Sequence, residues 1–124
     1  MLSFPIITSY TDDALKGALC QFPHTCLISK ESRQNFNGNF PKHTRYFSNG
    51  DKPLVALIKQ KGYVKLTYDG QDFILNDNEV VLFDDNVPHS WVMSSCDLTN
   101  FYYRQSGIIE NAVTTGNYCL DSFF

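Results

Sequence analysis

The 124-residue chain is expected to fold as one all-β domain, with antiparallel strands closed into a barrel. Three observations predict this. Between Leu54 and Trp91, apolar segments of strand length are cut by turn residues at about the 8–12-residue spacing of sandwiches and barrels. Aromatic residues make up 15% of the chain, with ten Phe and seven Tyr, and such side chains suit a pleated, half-buried surface. No segment of helix length sustains a 3.6-residue apolar period.

The elements follow in order. Residues 1–22 read as an N-terminal arm. Pro5 holds Phe4 extended. Thr11-Asp12-Asp13 caps a short helical turn over Ala14–Leu19, which Gly17 weakens. The barrel is assigned to residues 23–124. Thr25–Ser29 is a strand. Residues 30–43, rich in Asn, Gly and Pro, read as a long loop of the kind that often serves a site. Thr44–Phe47 is a short strand, followed by a turn at Ser48–Asp51.

Leu54–Ile58 is continuously apolar, as for a strand buried on both faces. Gly62 breaks the run, and Val64, Leu66 and Tyr68 then alternate with exposed positions. Asp69-Gly70 is a hairpin signal, because both central residues of a type I′ turn need positive φ. Phe73–Leu75 follows, then a turn at Asn76–Asn78, then Val80–Phe83. Asp84–Pro88 is a tight polar loop. His89–Met93, Leu98–Tyr103 and Tyr118–Leu120 complete the strands.

Composition excludes several function classes. Charged residues make up 19% of the chain and the net charge is −3, with Lys and Arg scattered. A nucleic-acid surface would show a basic stripe, since phosphate neutralisation supplies most of the affinity. There is no basic-then-apolar leader and no apolar run of membrane-spanning length. Cys20, Cys26, Cys96 and Cys119 are expected to be thiols in a reducing cytoplasm.

The series strand, Gly62, strand, Asp69-Gly70, strand, turn, Val81-Leu82-Phe83, Pro88-His89 and Trp91 resembles a cupin, the jelly-roll or double-stranded β-helix barrel. Within cupins it is most similar to the N-terminal ligand-binding domain of AraC-family transcription regulators, over roughly residues 44–104. Leu57–Gly62, Val64, Phe73, Leu75 and the aromatic run Phe101-Tyr102-Tyr103 share in the match. Two positions depart from the family pattern. Asn78-Glu79 stands where Gly-Asp is usual, and Asn tolerates the left-handed turn. Asp84-Asp85-Asn86 replaces a Pro-rich loop.

The resemblance implies an effector-sensing and dimerisation domain of a bacterial transcription regulator. It would be a homodimer that is not itself an enzyme, binding a sugar or other small metabolite. It would contact DNA only through a separate helix-turn-helix domain. The alternative is a stand-alone cupin isomerase or dioxygenase.

Metal is the first chemistry to weigh. The family's first metal motif falls on Asp51–Ala56, which holds no His or Glu. His89 takes the second-motif ligand position, but one residue cannot hold an ion. No metal or other cofactor is therefore expected, although His43 lies upstream and could swing in. Cys20, His24 and Cys26 lack zinc-knuckle spacing and read as a reduced, half-buried segment. Asp84-Asp85 reads as a solvated turn, with at most one carboxylate facing inward because adjacent residues point opposite ways.

Aromatic walls with a few polar tips then make the expected site. The ligand-binding candidates are Trp91, His89, Tyr46, Phe83, Tyr102, His43 and Arg45. Arg33 and Arg104 are further candidates for holding an anion.

Overall fold

The computed structural model of the chain describes residues 3–106, so the expected strand at Tyr118–Leu120 lies outside the described residues. The all-β expectation holds. Among the described residues, six strands, β1 (Ile6–Ser9), β2 (Thr25–His43), β3 (Lys52–Tyr68), β4 (Gln71–Ile74), β5 (Glu79–Asp84) and β6 (His89–Gln105), are joined by one helix, α1 (Asp12–Leu19). Every strand pairing is antiparallel. The order across the sheet is β1-β5-β3-β6-β2, and β4 pairs with the distal half of β3.

The turn chemistry is as expected. Asp69 (φ 50°) and Gly70 (φ 83°) both take positive φ between β3 and β4, and Asn78 (φ 62°) does so before β5.

The architecture depends on how the three long strands bend. β2, β3 and β6 span 19, 17 and 17 residues. Each carries a left-handed residue near its middle: Asn35 (φ 49°), Gly62 (φ 91°) and Ser95 (φ 46°). Register shifts sit at the same places, from Lys59 to Tyr63 and from Arg33 to Gly38. An extra residue in a strand moves every later side chain to the other face.

Interior positions therefore change parity at the bends. Val55 and Leu57 face inward before Gly62, and Val64, Leu66 and Tyr68 after it. Trp91 and Met93 face inward before Ser95, and Cys96 and Leu98 after it. These residues form one core cluster, so the two halves of each long strand pack toward each other as the layers of a jelly roll. Backbone N–H groups freed at the bends are recaptured by side chains: Ser95 N–H donates to Asn37 Oδ1 (2.9 Å), and Asn35 N–H donates to Asp97 Oδ1 (2.9 Å). A Cβ on Gly62 would lie 2.3 Å from the Ser95 carbonyl oxygen. Only glycine permits this crossing.

The bends also correct the sequence reading. Gly62 does not end a strand, and His89–Met93 and Leu98–Tyr103 are one strand. Residues 30–43 are not a loop but the distal part of β2, whose turn-forming residues are absorbed by the register shifts. Thr44–Phe47 is not a strand; it lies in the connection between β2 and β3.

The first 22 residues build onto the sheet. β1 pairs with β5, from Ile6 opposite Leu82 to Ser9 opposite Glu79. Thr11 caps α1 by accepting from Ala14 N–H (2.9 Å), and the helix continues through Gly17, which faces open space. An eight-residue helix is not stable alone. Its hold comes from Leu15 and Leu19, buried against Leu54, Ala56, Ile58, Val80 and Leu82 on the outer face of the sheet. Each such Leu stabilises by about 1.5–3 kcal/mol. The continuous run Leu54–Ile58 is thereby explained: odd positions enter the interior and even positions meet α1.

Cys20 and Cys96 are free thiols. Cys26 is disulfide-bonded, contrary to the all-thiol expectation.

Candidate functional site

A cavity of about 550 Å³ opens between the layers, on the side walled by β2 and β6. Its walls follow from the parity change. Ser29, Glu31 and Arg33 line it before the bend in β2, and Phe36 and Phe40 after it. β6 contributes His89, Trp91 and Met93, then Leu98, Asn100 and Tyr102. The connection after β2 adds Arg45, Tyr46 and Phe47, and β5 with the loop after it adds Phe83 and Asp85. All seven residues singled out from sequence, Trp91, His89, Tyr46, Phe83, Tyr102, His43 and Arg45, border this one space. Tyr46 is mostly exposed at the rim, whereas Phe83, His89 and Trp91 are buried.

His89 is the most enclosed polar group. It is 1% exposed and ringed by Phe83 (centroids 5.2 Å apart), Trp91 (6.4 Å, perpendicular) and Tyr68 (6.2 Å). Its Nδ1 lies 2.6 Å from the carbonyl oxygen of Val87. A carbonyl only accepts, so Nδ1 carries the proton and Nε2 is left to face the cavity polar groups.

His43 repeats the arrangement. Its Nδ1 lies 2.7 Å from the Pro41 carbonyl, and its ring sits 4.4 Å from that of His89. The pairing of β2 with β6 sets His43 directly opposite His89.

Asp85 completes the group. It is 5% exposed, which corrects the expectation of a solvated turn; Asp84, its neighbour, is half-buried and accepts from Asn86 N–H (2.9 Å). Asp85 Oδ1 stands 3.0 Å from His89 Nε2. The contact lacks hydrogen-bond geometry, and His89 Nε2 is a buried nitrogen with no hydrogen-bond partner among the described residues. Arg45 Nε lies 3.8 Å from Asp85 Oδ2, and Arg45 N–H donates to the Asp85 carbonyl (2.8 Å). One ligand-type atom from each of His43, Asp85 and His89 falls within 4.8 Å of the others. The premise that His89 stands alone therefore does not hold.

A second polar group lies on β2. Arg33 donates twice to Glu31 (3.3 Å each) and stacks on Phe36 (4.5 Å to the ring centroid). Tyr102 OH donates to Glu31 Oε1 (3.3 Å). The Arg33 hydrogen bonds hold the Glu31 carboxyl below its usual pKa, and burial pushes the Tyr102 phenol up.

The three arginines considered for an anion are all paired within the chain: Arg33 with Glu31, Arg45 with Asp85, and Arg104 with Asp51. Arg104 also stacks on Phe47 and is not among the cavity residues. Of the Cys20–His24–Cys26 segment, no part joins a ligand-type cluster among the described residues.

Glu31 and Asn100 were missed from sequence, and Asp85 was set aside as part of a solvated turn. Asp85 carried a signal, since it precedes the Pro88-His89 pair by a few residues. Glu31 and Asn100 carried none, because their facing depends on the bends.

No protein-family model and no curated protein matches the chain. Solved structures do. A DUF861 family protein from Thermotoga maritima aligns at 14% identity and TM-score 0.44, over 82% of this chain and 99% of that one. An RmlC-like cupin protein from Desulfovibrio desulfuricans aligns at 11% identity and TM-score 0.45, over 85% and 97%. A Phytophthora capsici prolyl 4-hydroxylase structure aligns at 14% identity and TM-score 0.49, over 90% of this chain and 48% of that one. The jelly-roll assignment rests on the chain's own antiparallel, bent-strand topology, to which these likenesses are similar.

Proposed function

We propose that this cupin-like barrel binds a small molecule, and that it serves as the effector-sensing and dimerising half of an AraC-type transcription regulator, with DNA contact made by a separate domain. The supporting observation is the cavity: a jelly roll of this size can fill its interior with side chains, and this one leaves about 550 Å³ beside buried polar groups.

The chemistry of the walls indicates the ligand class. Trp91, Phe83, Phe36 and Phe40 supply flat apolar surfaces, and Asn100, Glu31, Tyr102 and Ser29 supply hydrogen-bonding tips. The cavity arginines are already matched by carboxylates, so a net-anionic ligand gains no unmatched cation. A neutral polyhydroxylated ring such as a sugar fits best, with its faces on the aromatics and its hydroxyls on the tips.

Trp91 borders the cavity as the sole tryptophan, so its fluorescence reports occupancy. The expected result is a saturable change with one or a few sugars from a panel, lost in Asn100→Ala. No response to any neutral or charged metabolite would remove the sensing reading.

The second reading is a stand-alone cupin enzyme, favoured by the meeting of His43, Asp85 and His89. Turnover of a bound ligand, followed by product analysis, supports the enzyme; binding without change over hours supports the sensor. A cytoplasmic setting suits the free thiols of Cys20 and Cys96, and the disulfide at Cys26 opposes it. Among the described residues, no helix is long and apolar enough to cross a membrane.

A further inference from the structure

We propose that His43, Asp85 and His89 form a binding site for one divalent first-row transition-metal cation. The inference does not depend on whether the cavity senses or transforms its ligand.

The first support is the state of the two imidazoles. Each directs Nδ1 at a backbone carbonyl two residues back, at 2.7 Å for His43 and 2.6 Å for His89. This second contact is the one that usually orients a metal-ligating histidine, fixing the tautomer and leaving the Nε2 lone pair available. Two histidines far apart in sequence adopt the same arrangement and meet at 4.4 Å.

The second support is His89 Nε2 itself. It is buried, lacks a hydrogen-bond partner among the described residues, and stands 3.0 Å from a carboxylate oxygen. With Nδ1 protonated, a bare Nε2 lone pair facing Asp85 Oδ1 sets two acceptors against each other. Something positive must lie between them. A proton on Nε2 would be poorly aimed, since the contact lacks hydrogen-bond geometry. A cation set to one side of the N···O line bonds to both atoms. Ligands about 2.1 Å from an ion and at right angles around it stand about 3.0 Å apart, which is the Asp85–His89 spacing.

The third ligand fits with a small adjustment. The three ligand atoms lie within 4.8 Å of one another, against the roughly 3.0 Å between neighbouring right-angle ligands of such an ion. A shift of roughly 1–2 Å in the half-buried His43 closes the difference. Arg45 opposes the ion electrostatically. Its guanidinium is largely exposed and pairs with Oδ2, leaving Oδ1 free.

Two imidazoles and one carboxylate are the donors of iron, manganese, cobalt, nickel and zinc sites, not of calcium or magnesium sites. All three residues border the cavity, so a bound ion has a side on which a ligand oxygen can join it.

The set was not visible as a metal motif. Only His89 stands where the cupin pattern has a ligand; His43 arrives through the β2–β6 pairing, and Asp85 through the β5–β6 loop.

The test uses cobalt(II) alone, added to the full chain after chelator treatment and dialysis. One equivalent per chain is expected by titration calorimetry, with a rise in Tm and visible absorption bands. His43→Ala and Asp85→Asn, each checked for native circular dichroism, should lose about 100-fold or more in affinity. A readout without variants is proton NMR of the cobalt-loaded wild type, where two strongly shifted imidazole Nδ1–H signals are expected. Failure of the wild type to take up one equivalent overturns the proposal. So does undiminished binding by the two variants, or the absence of shifted imidazole signals. A cavity that still binds a sugar without metal would leave the sensing reading intact while the metal proposal fell.

Discussion

The two faces of one stretch of sheet have been finished in opposite ways. On the outer face, Leu54, Ala56, Ile58, Val80 and Leu82 meet Leu15 and Leu19 of α1 in an apolar contact. On the inner face of the same strands, Val55, Leu57 and Phe83 look across the space that also holds Glu31, Asn100, Asp85 and His89. The outer face is sealed by a helix supplied from the same chain. The inner face keeps an opening and surrounds it with polar groups, each costly to bury unless paired. Stability is thus concentrated on one side of the strands and chemistry on the other.

The largest perturbation acts on the bend that creates the inner face. Gly62→Ala combines left-handed strain with a backbone collision at Ser95 and should cost roughly 2–5 kcal/mol, read as a fall in urea midpoint or loss of folding. Leu19→Ala tests the sealed face. Removing a wholly buried Leu should cost about 2–5 kcal/mol, with ligand or metal binding unchanged when measured well below Tm. Phe40→Ala tests the open face. Phe40 is 39% exposed, so the stability cost should stay near 1 kcal/mol or less, while ligand affinity falls. If Phe40→Ala proved as destabilising as Leu19→Ala, the contrast between the faces would fail.

The smallest effect is electrostatic. Arg33 lowers the pKa of Glu31, so the unfolded chain holds the Glu31 proton more tightly. The stabilisation is complete above the ordinary carboxyl value of 4.5 and disappears as pH falls through the lowered one. The pair is half-exposed, so the contribution is small. Glu31→Gln should lower stability slightly at neutral pH and leave the most acid pH unchanged, which flattens the acid limb of the stability–pH curve.

Much of the fold was legible because it rests on local chemistry. Asp69-Gly70 and Asn78 dictated turns through positive φ, and the run Leu54–Ile58 announced burial on both faces. The bends were not legible as bends. At Asn35, Gly62 and Ser95 the two-residue pattern changes phase, and a change of phase looks the same in sequence as the end of a strand. One residue pattern thus suggested a loop at 30–43 and two strands within 89–105. The aromatic and histidine wall of the cavity was found because the Pro88-His89 resemblance located it. Asp85 was misjudged because two adjacent acids look solvated, and only the enclosure by Arg45 and His89 shows that one of them turns inward.

The place of β2 in the sheet has a kinetic consequence. Among the described residues it is hydrogen-bonded to β6 alone, and its pairing is interrupted by four register shifts. A strand with one partner and a broken ladder opens locally at a lower free energy than one flanked on both sides. β2 also carries Glu31, Arg33, Phe36, Phe40 and His43 on the cavity side. Its amides should exchange with deuterium ahead of those in β3. The strand expected to open most readily also lines the cavity, so a ligand seated against it should slow amide exchange in β2.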